Sequence, residues 1–166
     1  TPIKSSAASD VYKRQEEDTI MLKGIPKILS PELLKVLSEM GHSDRLVISD
    51  GNFPAESMGK DAIVIRCDGH GVPELLDAIL QVFPLDTYVE HPVNLMEVMP
   101  GDDVETPIWD TYKEIIRKYD ERGDAVVGNI ERFAFYEEAK KVYAIIATGE
   151  SALYANIMLQ KGVVTD

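Results

Sequence analysis

Between Ser30 and Leu159 the chain alternates segments of helical apolar spacing with short unbroken apolar runs, and this alternation limits the fold more than any other feature. Leu33, Leu34, Leu37 and Met40 recur at helical intervals, so the segment that carries them buries one face. Ser30 suits its N-cap, Pro31 its first turn and Glu32 the positive end of its dipole, while Gly41 suits a left-handed stop. Leu46-Val47-Ile48 follows as a continuous apolar run, which predicts a strand covered on both faces. Residues 62–67 read as a second strand, and Leu75, Leu76, Ile79, Leu80 and Phe83 mark a second amphipathic helix. Over residues 92–99 the rough alternation of Val93, Leu95, Glu97 and Met99 predicts a more exposed strand. Thr106 and Pro107 then open a helix with Ile108, Tyr112, Ile115, Ile116 and Tyr119 as its buried stripe and Trp109 packed beside it. A short strand at 125–127, a helix over 131–141 and strands over 143–147 and 154–159 complete the pattern. Such an order predicts an α/β fold, a single domain with a central mixed sheet covered by helices.

Length and charge narrow the function. The 166 residues suit one domain with a real core, and 29 acidic against 17 basic residues give a net charge of −12, which argues against nucleic acid as a partner. Apolar stretches such as 142–148 are far shorter than the ~20 residues a membrane span needs, so no membrane partner is expected. Cys67 is the only cysteine, which fits a reducing compartment and a cytoplasmic location. Residues 1–20 are polar and aperiodic and have no secretory core. They read as a non-native or disordered extension, with Met21 as the natural start and the domain over 21–166.

No Gly-x-Gly-x-x-Gly, Walker loop or Gly-x-Ser-x-Gly elbow occurs. The three histidines, His42, His70 and His91, fall in separate loops without metal-ligand spacing, so neither metal nor organic cofactor is expected. Acid/base chemistry has better support. Gly41-His42-Ser43-Asp44 stands between the first helix and the first strand, and Asp50 follows within a few residues, so an imidazole and two carboxylates are expected to meet at one element end as an acid/base site. The residues alone leave a second reading open, in which His42 is a surface residue past a cap and Asp50 a turn residue. Farther on, Arg132-Phe133-Ala134-Phe135-Tyr136 sets a cation among aromatics, although Phe133 and Phe135 also suit core packing. In an extended strand Tyr154 and Asn156 would face the same way, and a phenol with a carboxamide suits a sugar.

These segments together carry a resemblance. Ser30-Pro31-Glu32-Leu33-Leu34, Gly41-His42 with Asp44, Ser49-Asp50 with Asn52-Phe53-Pro54 and Ser57-Met58-Gly59, the Arg132 to Tyr136 run, Thr148-Gly149-Glu150 and Tyr154-Ala155-Asn156 resemble the ribose pyranase and fucose mutarotase family. Arg-Phe-Ala-Phe-Tyr and the Phe-Pro loop lean toward its fucose branch. The resemblance implies a cofactor-independent isomerase that interconverts pyranose anomers. His42 would be the catalytic proton donor with Asp44 or a nearby carboxylate orienting it, and Tyr154 a second proton carrier. Asp50, Arg132, Tyr154 and Asn156 would bind a monosaccharide such as L-fucose. It also implies a homo-oligomer, a decamer of two pentameric rings with sites near subunit boundaries. A D-ribose pyranase and a non-catalytic monosaccharide-binding module are the alternatives, separated by comparing exchange on ribose and fucose and by asking whether binding is accompanied by exchange at all.

Overall fold

The computed structural model describes residues 22–165; the 1–20 segment and Met21 lie outside the described residues. The elements run α1 (Pro31–Glu39), β1 (Arg45–Ser49), α2 (Ala55–Met58), β2 (Ile63–Cys67), α3 (Val72–Val82), β3 (Val93–Met96), α4 (Pro107–Tyr119), β4 (Val127–Ile130), α5 (Arg132–Ala139), β5 (Ala144–Thr148) and β6 (Ile157–Gln160). Six strands form one sheet in the order β2-β5-β1-β6-β3-β4. The sheet is mixed as expected: β6 runs antiparallel to both β1 and β3, and the remaining pairings are parallel.

Pleating divides each buried strand between two apolar layers. Leu46, Ile48, Ile146, Ile157 and Leu159 face α1, α3 and α4, where they meet Leu33, Leu37, Leu75, Ile79, Tyr112 and Ile116. Val47, Ile145 and Met158 point the other way, to Phe53, Phe135 and Ala139 from α2 with its preceding loop and from α5. Burial on both faces explains why β1 and β5 read as continuous apolar runs. Each fully buried Leu or Ile side chain contributes roughly 1.5–3 kcal/mol.

Several local readings change. α1 stops at Met40, an extended C-cap, and Gly41 does not supply a left-handed stop; Ser43, with φ 72°, takes that conformation. Residues 93–96 form an inner strand between β6 and β4, so they are mostly buried and not the exposed strand that the alternation predicts. Tertiary pairing overrides the weak polar alternation there. At 123–126 the chain makes a 3-10 turn, and the edge strand β4 follows it. Thr106 makes no side-chain cap bond, whereas Glu131 lies just before α5 and accepts from Ala134 N at 3.0 Å. Phe133 is 60% exposed, and of the two phenylalanines only Phe135 enters the core.

The loop after β5 packs directly on the loop after β2. Gly149 N donates to His70 O at 3.0 Å, and a Cβ at Gly149 would fall 2.1 Å from Asp68 O. Because the obstacle is backbone, no rotamer change relieves it. Gly149→Ala is expected to cost ~1–3 kcal/mol, measured as a lower urea midpoint at unchanged slope.

Candidate active site

Asp50 directly follows β1, Arg132 opens α5 with one residue between it and the end of β4, and Asn156 directly precedes the antiparallel β6. All three therefore lie at one edge of the sheet, the edge where its parallel strands end and where α/β folds commonly bind ligands. They line a cleft of about 320 Å³ with Asn52, Phe53, Met96, Asp102, Tyr136 and Tyr154. That is at the small end of the usual range for ligand clefts, ~300–1,000 Å³.

Asp50 is the best-held group in the cleft. It is 6% exposed, its N donates to Asn156 Oδ1 at 2.8 Å, and its carboxylate accepts from Asn52 N at 3.0 Å and Ala155 N at 3.4 Å. Burial pushes its carboxyl pKa up; the backbone donors oppose this, and the Glu150 carboxylate adds to it. With its Oδ1 occupied by Asp50, Asn156 keeps its NH₂ donors for the cleft.

Tyr154 and Asn156 do address one cavity, but not through the extended strand that their spacing predicts. Tyr154 has φ 54°, so the chain bends there and β6 begins only at Ile157. α4 pins this bend from below: Trp109 Nε1 donates to Tyr154 O at 2.8 Å and Tyr112 OH to Ala155 O at 2.6 Å. The Tyr154 phenol donates to Asp102 Oδ2 and accepts from Met99 N at 3.3 Å. The Asp102 carboxylate raises the phenol's pKa, so Tyr154 holds its proton. Arg132 extends from the start of α5, with Nε donating to Tyr136 OH at 3.3 Å and its guanidinium 5.7 Å from the Tyr136 ring and 6.0 Å from that of Phe133.

His42 does not join this group within one chain. It precedes β1 whereas Asp50 follows it, so the length of the strand separates them, roughly 16 Å at ~3.3 Å per residue. The imidazole and the two carboxylates read as one element-end cluster therefore divide between opposite sheet edges. Asp44, expected to orient His42, instead accepts from Gly41 N at 2.8 Å, because the turn leaves that N–H without a helical partner. The carboxylate that meets His42 is Asp86, at 3.0 Å from Nε2. His70 pairs with Glu74 at 2.9 Å, and neither it nor His91 lines the cleft. Glu150 braces the rim: its carboxylate accepts from Val72 N at 3.2 Å and Ala152 N at 3.1 Å, and its carbonyl from Gly51 N at 2.8 Å.

Sequence reasoning missed Asp102 and Asp86, which come from irregular loops without spacing signals. Trp109 and Tyr112 were legible only as packing residues, because their polar tips meet backbone remote in sequence.

The chain is similar to known proteins over most of its length. A family model described as the RbsD / FucU transport protein family matches residues 23–164. Fucose mutarotase of Homo sapiens is 50% identical over 150 residues, covering 87% of this chain and 95% of that one. The crystal structure of FucU from Bifidobacterium longum superposes with a TM-score of 0.85 at 68% identity, covering 86% of this chain and 100% of that one. That of the fucose mutarotase in complex with L-fucose from Streptococcus pneumoniae gives a TM-score of 0.80 at 49% identity, covering 87% and 100%.

The raised pKa of Asp50 makes a signed expectation. The folded state takes up this proton more readily than the unfolded chain, so the group contributes stability at acid pH that is lost as pH rises through its folded pKa. Urea unfolding between about pH 3 and 6 should contain this slope in the wild type and lose it in Asp50→Asn, and carboxyl-carbon NMR should find Asp50 titrating above ordinary aspartates.

Proposed function

The chain belongs to the RbsD / FucU family, and from that membership we infer that it is an L-fucose mutarotase, an isomerase that interconverts the α and β anomers of the pyranose. One observation carries this reading: Asp50, Arg132, Tyr154 and Asn156, from distant parts of the chain, converge on one monosaccharide-sized cleft. Half-identical relatives that are fucose mutarotases add to it.

The reaction needs little equipment. The anomeric hydroxyl loses its proton as the ring oxygen gains one, and the C1–O5 bond breaks to give the open aldehyde. After rotation about C1–C2, O5 adds to the other face of the carbonyl and the protons return. Positioned proton transfer of this kind typically contributes ~10²–10⁴-fold. In our reading Asp50 accepts from sugar hydroxyls, Arg132 and the Asn156 NH₂ donate to them, and Phe53 and Met96 meet the apolar side of the ring. Tyr154 relays the second proton: its oxygen takes the anomeric proton while its own passes to Asp102, along the hydrogen bond already present.

His42 is the proton donor to the ring oxygen, and it arrives from a second copy of the chain. Its separation from the cleft along β1 supports this reading. So do its 44% exposed side chain and the neighbouring Tyr88 ring, which is 78% exposed. The assembly we propose is a decamer of two pentameric rings, which sets the amino edge of one sheet against the carboxyl edge of another. A cytoplasmic location fits the single cysteine, and residues 1–20 fit an extension outside the mutarotase domain.

His42→Ala is expected to reduce anomer exchange on L-fucose to the uncatalysed rate, followed by saturation-transfer NMR, with circular dichroism unchanged; near-normal exchange defeats the role. Mixing two impaired variants tests the shared site. When His42→Ala and Arg132→Ala chains reassociate, sites built from two chains recover activity in about a quarter of positions, whereas sites within one chain recover none. The same assay on ribose measures sugar preference.

A further inference from the structure

The peptide unit that joins Tyr154 to Ala155 is held on both of its sides. Its carbonyl, Tyr154 O, accepts from Trp109 Nε1 at 2.8 Å, and its amide, Ala155 N, donates to Asp50 Oδ2 at 3.4 Å. A peptide unit is planar and rigid, so a bond that fixes the carbonyl also fixes the direction of the N–H. An indole on α4, which is not among the residues lining the cleft, is thereby connected through one rigid group to the buried carboxylate that does line it.

We propose that Trp109 is a positioning residue of the site: its indole N–H locks the 154–155 peptide so that the amide faces Asp50 and Tyr154 keeps the bend that presents its phenol to the sugar. This rests on the reading of the cleft as the L-fucose site. The lock is needed because Tyr154, at φ 54°, occupies a left-handed region that a bulky residue keeps only while tertiary contacts hold it. The amide bond to Asp50 is long, so a small tilt of the peptide decides how well Oδ2 is held, while Asn52 N serves Oδ1 at 3.0 Å. Donation to the carbonyl also polarises the peptide and strengthens its N–H as a donor.

The indole is suited to this because the core fixes it. Trp109 and Tyr112 lie one turn apart on the same side of α4, and Trp109 packs against the core cluster in which Tyr112 is fully buried. Tyr112 OH grips the next carbonyl, Ala155 O, at 2.6 Å, but the carbonyl taken by Trp109 belongs to the peptide that reaches Asp50. Burial raises the Asp50 pKa, the donors from Asn52, Ala155 and Phe53 lower it, and the Glu150 carboxylate raises it. Weakening the Ala155 donor therefore moves it up. The other titratable and charged groups around Asp50 are Tyr112, whose phenol is raised by burial and by the Glu150 and Asp50 carboxylates, and Arg132, Asp102 and Tyr154, which share the cleft.

Trp109 is the only tryptophan of the chain, so biosynthetic replacement of tryptophan by benzothienylalanine, with sulfur where the indole N–H stood, removes this one donor and keeps the shape of the ring. In the full chain kcat/KM for L-fucose anomer exchange is expected to fall ~10–10²-fold. Carboxyl-carbon NMR should find Asp50 titrating above its wild-type position, and the acid limb of kcat/KM against pH should move up with it. Fluorotryptophan, which keeps the N–H, should recover both. A smaller fall overturns the proposal, and so does an equal fall with fluorotryptophan. A fall with the Asp50 titration unmoved marks a packing role and overturns it too. Should the benzothienyl chain not fold, Trp109→Phe gives the same two readings. A wild-type protein that does not accelerate exchange on L-fucose defeats the reading of the cleft instead, and the Asp50 titration still decides the lock.

Discussion

One strand runs against its neighbours, and the site depends on it. β6 lies between β1 and β3 and is antiparallel to both, so it starts at the edge where they end. Its leading residues Tyr154 to Asn156 are thereby delivered beside Asp50, and the contact is closed from both sides, by Asp50 N donating to Asn156 Oδ1 and by Ala155 N reaching the Asp50 carboxylate. A parallel β6 would bring Asn156 to the His42 edge instead. The same strand ends at Gln160, which donates to Asp86, so a single element of four residues is anchored to the cleft at one end and to the His42 support at the other.

The polar groups of the cleft are costly to hold and are therefore heavily supported. Burying Asp50 opposes its ionisation, and the backbone donors offset that only in part. Tyr154 sits at a positive φ that is strained for a bulky residue. Trp109 and Tyr112 hold the strained segment through its carbonyls, which places part of the support for the site in α4, a helix whose main task is packing. Arg132 is confined by the Tyr136 ring and hydroxyl and has no acidic ion-pair partner among the described residues, which leaves its outer nitrogens for a ligand.

Much of the fold was legible because burial on both faces leaves a plain mark. Leu46-Val47-Ile48 and the residues around Ile145 have no polar interruption, and the stripes of α1, α3 and α4 keep helical spacing. Where packing and hydrogen bonding compete locally, the reading slipped. Gly41 has the chemistry of a left-handed stop, yet Ser43 takes that conformation because Asp44 captures Gly41 N and the Ser43 N–H is drawn to Lys161 O. Residues 92–99 read as a more exposed strand from the rough alternation of Val93, Leu95, Glu97 and Met99, although the sheet places 93–96 inside. Tyr154 and Asn156 were legible as a pair suited to a sugar, Asp50 as a carboxylate at an element end and Arg132 as a cation among aromatics, whereas Asp102 and Asp86 carried no periodic or motif signal.

Composition and the periods of two and 3.6 residues already establish the class of fold, the alternation of helix and strand, the acidic character and the chemical types available to a ligand. Which of those groups meet is settled when the chain packs. Strand order and direction are long-range choices, so β6 joins Asn156 to Asp50 while the length of β1 parts Asp50 from His42. The acid that holds His42 comes from a loop 44 residues away, a distance across which no local pattern reaches.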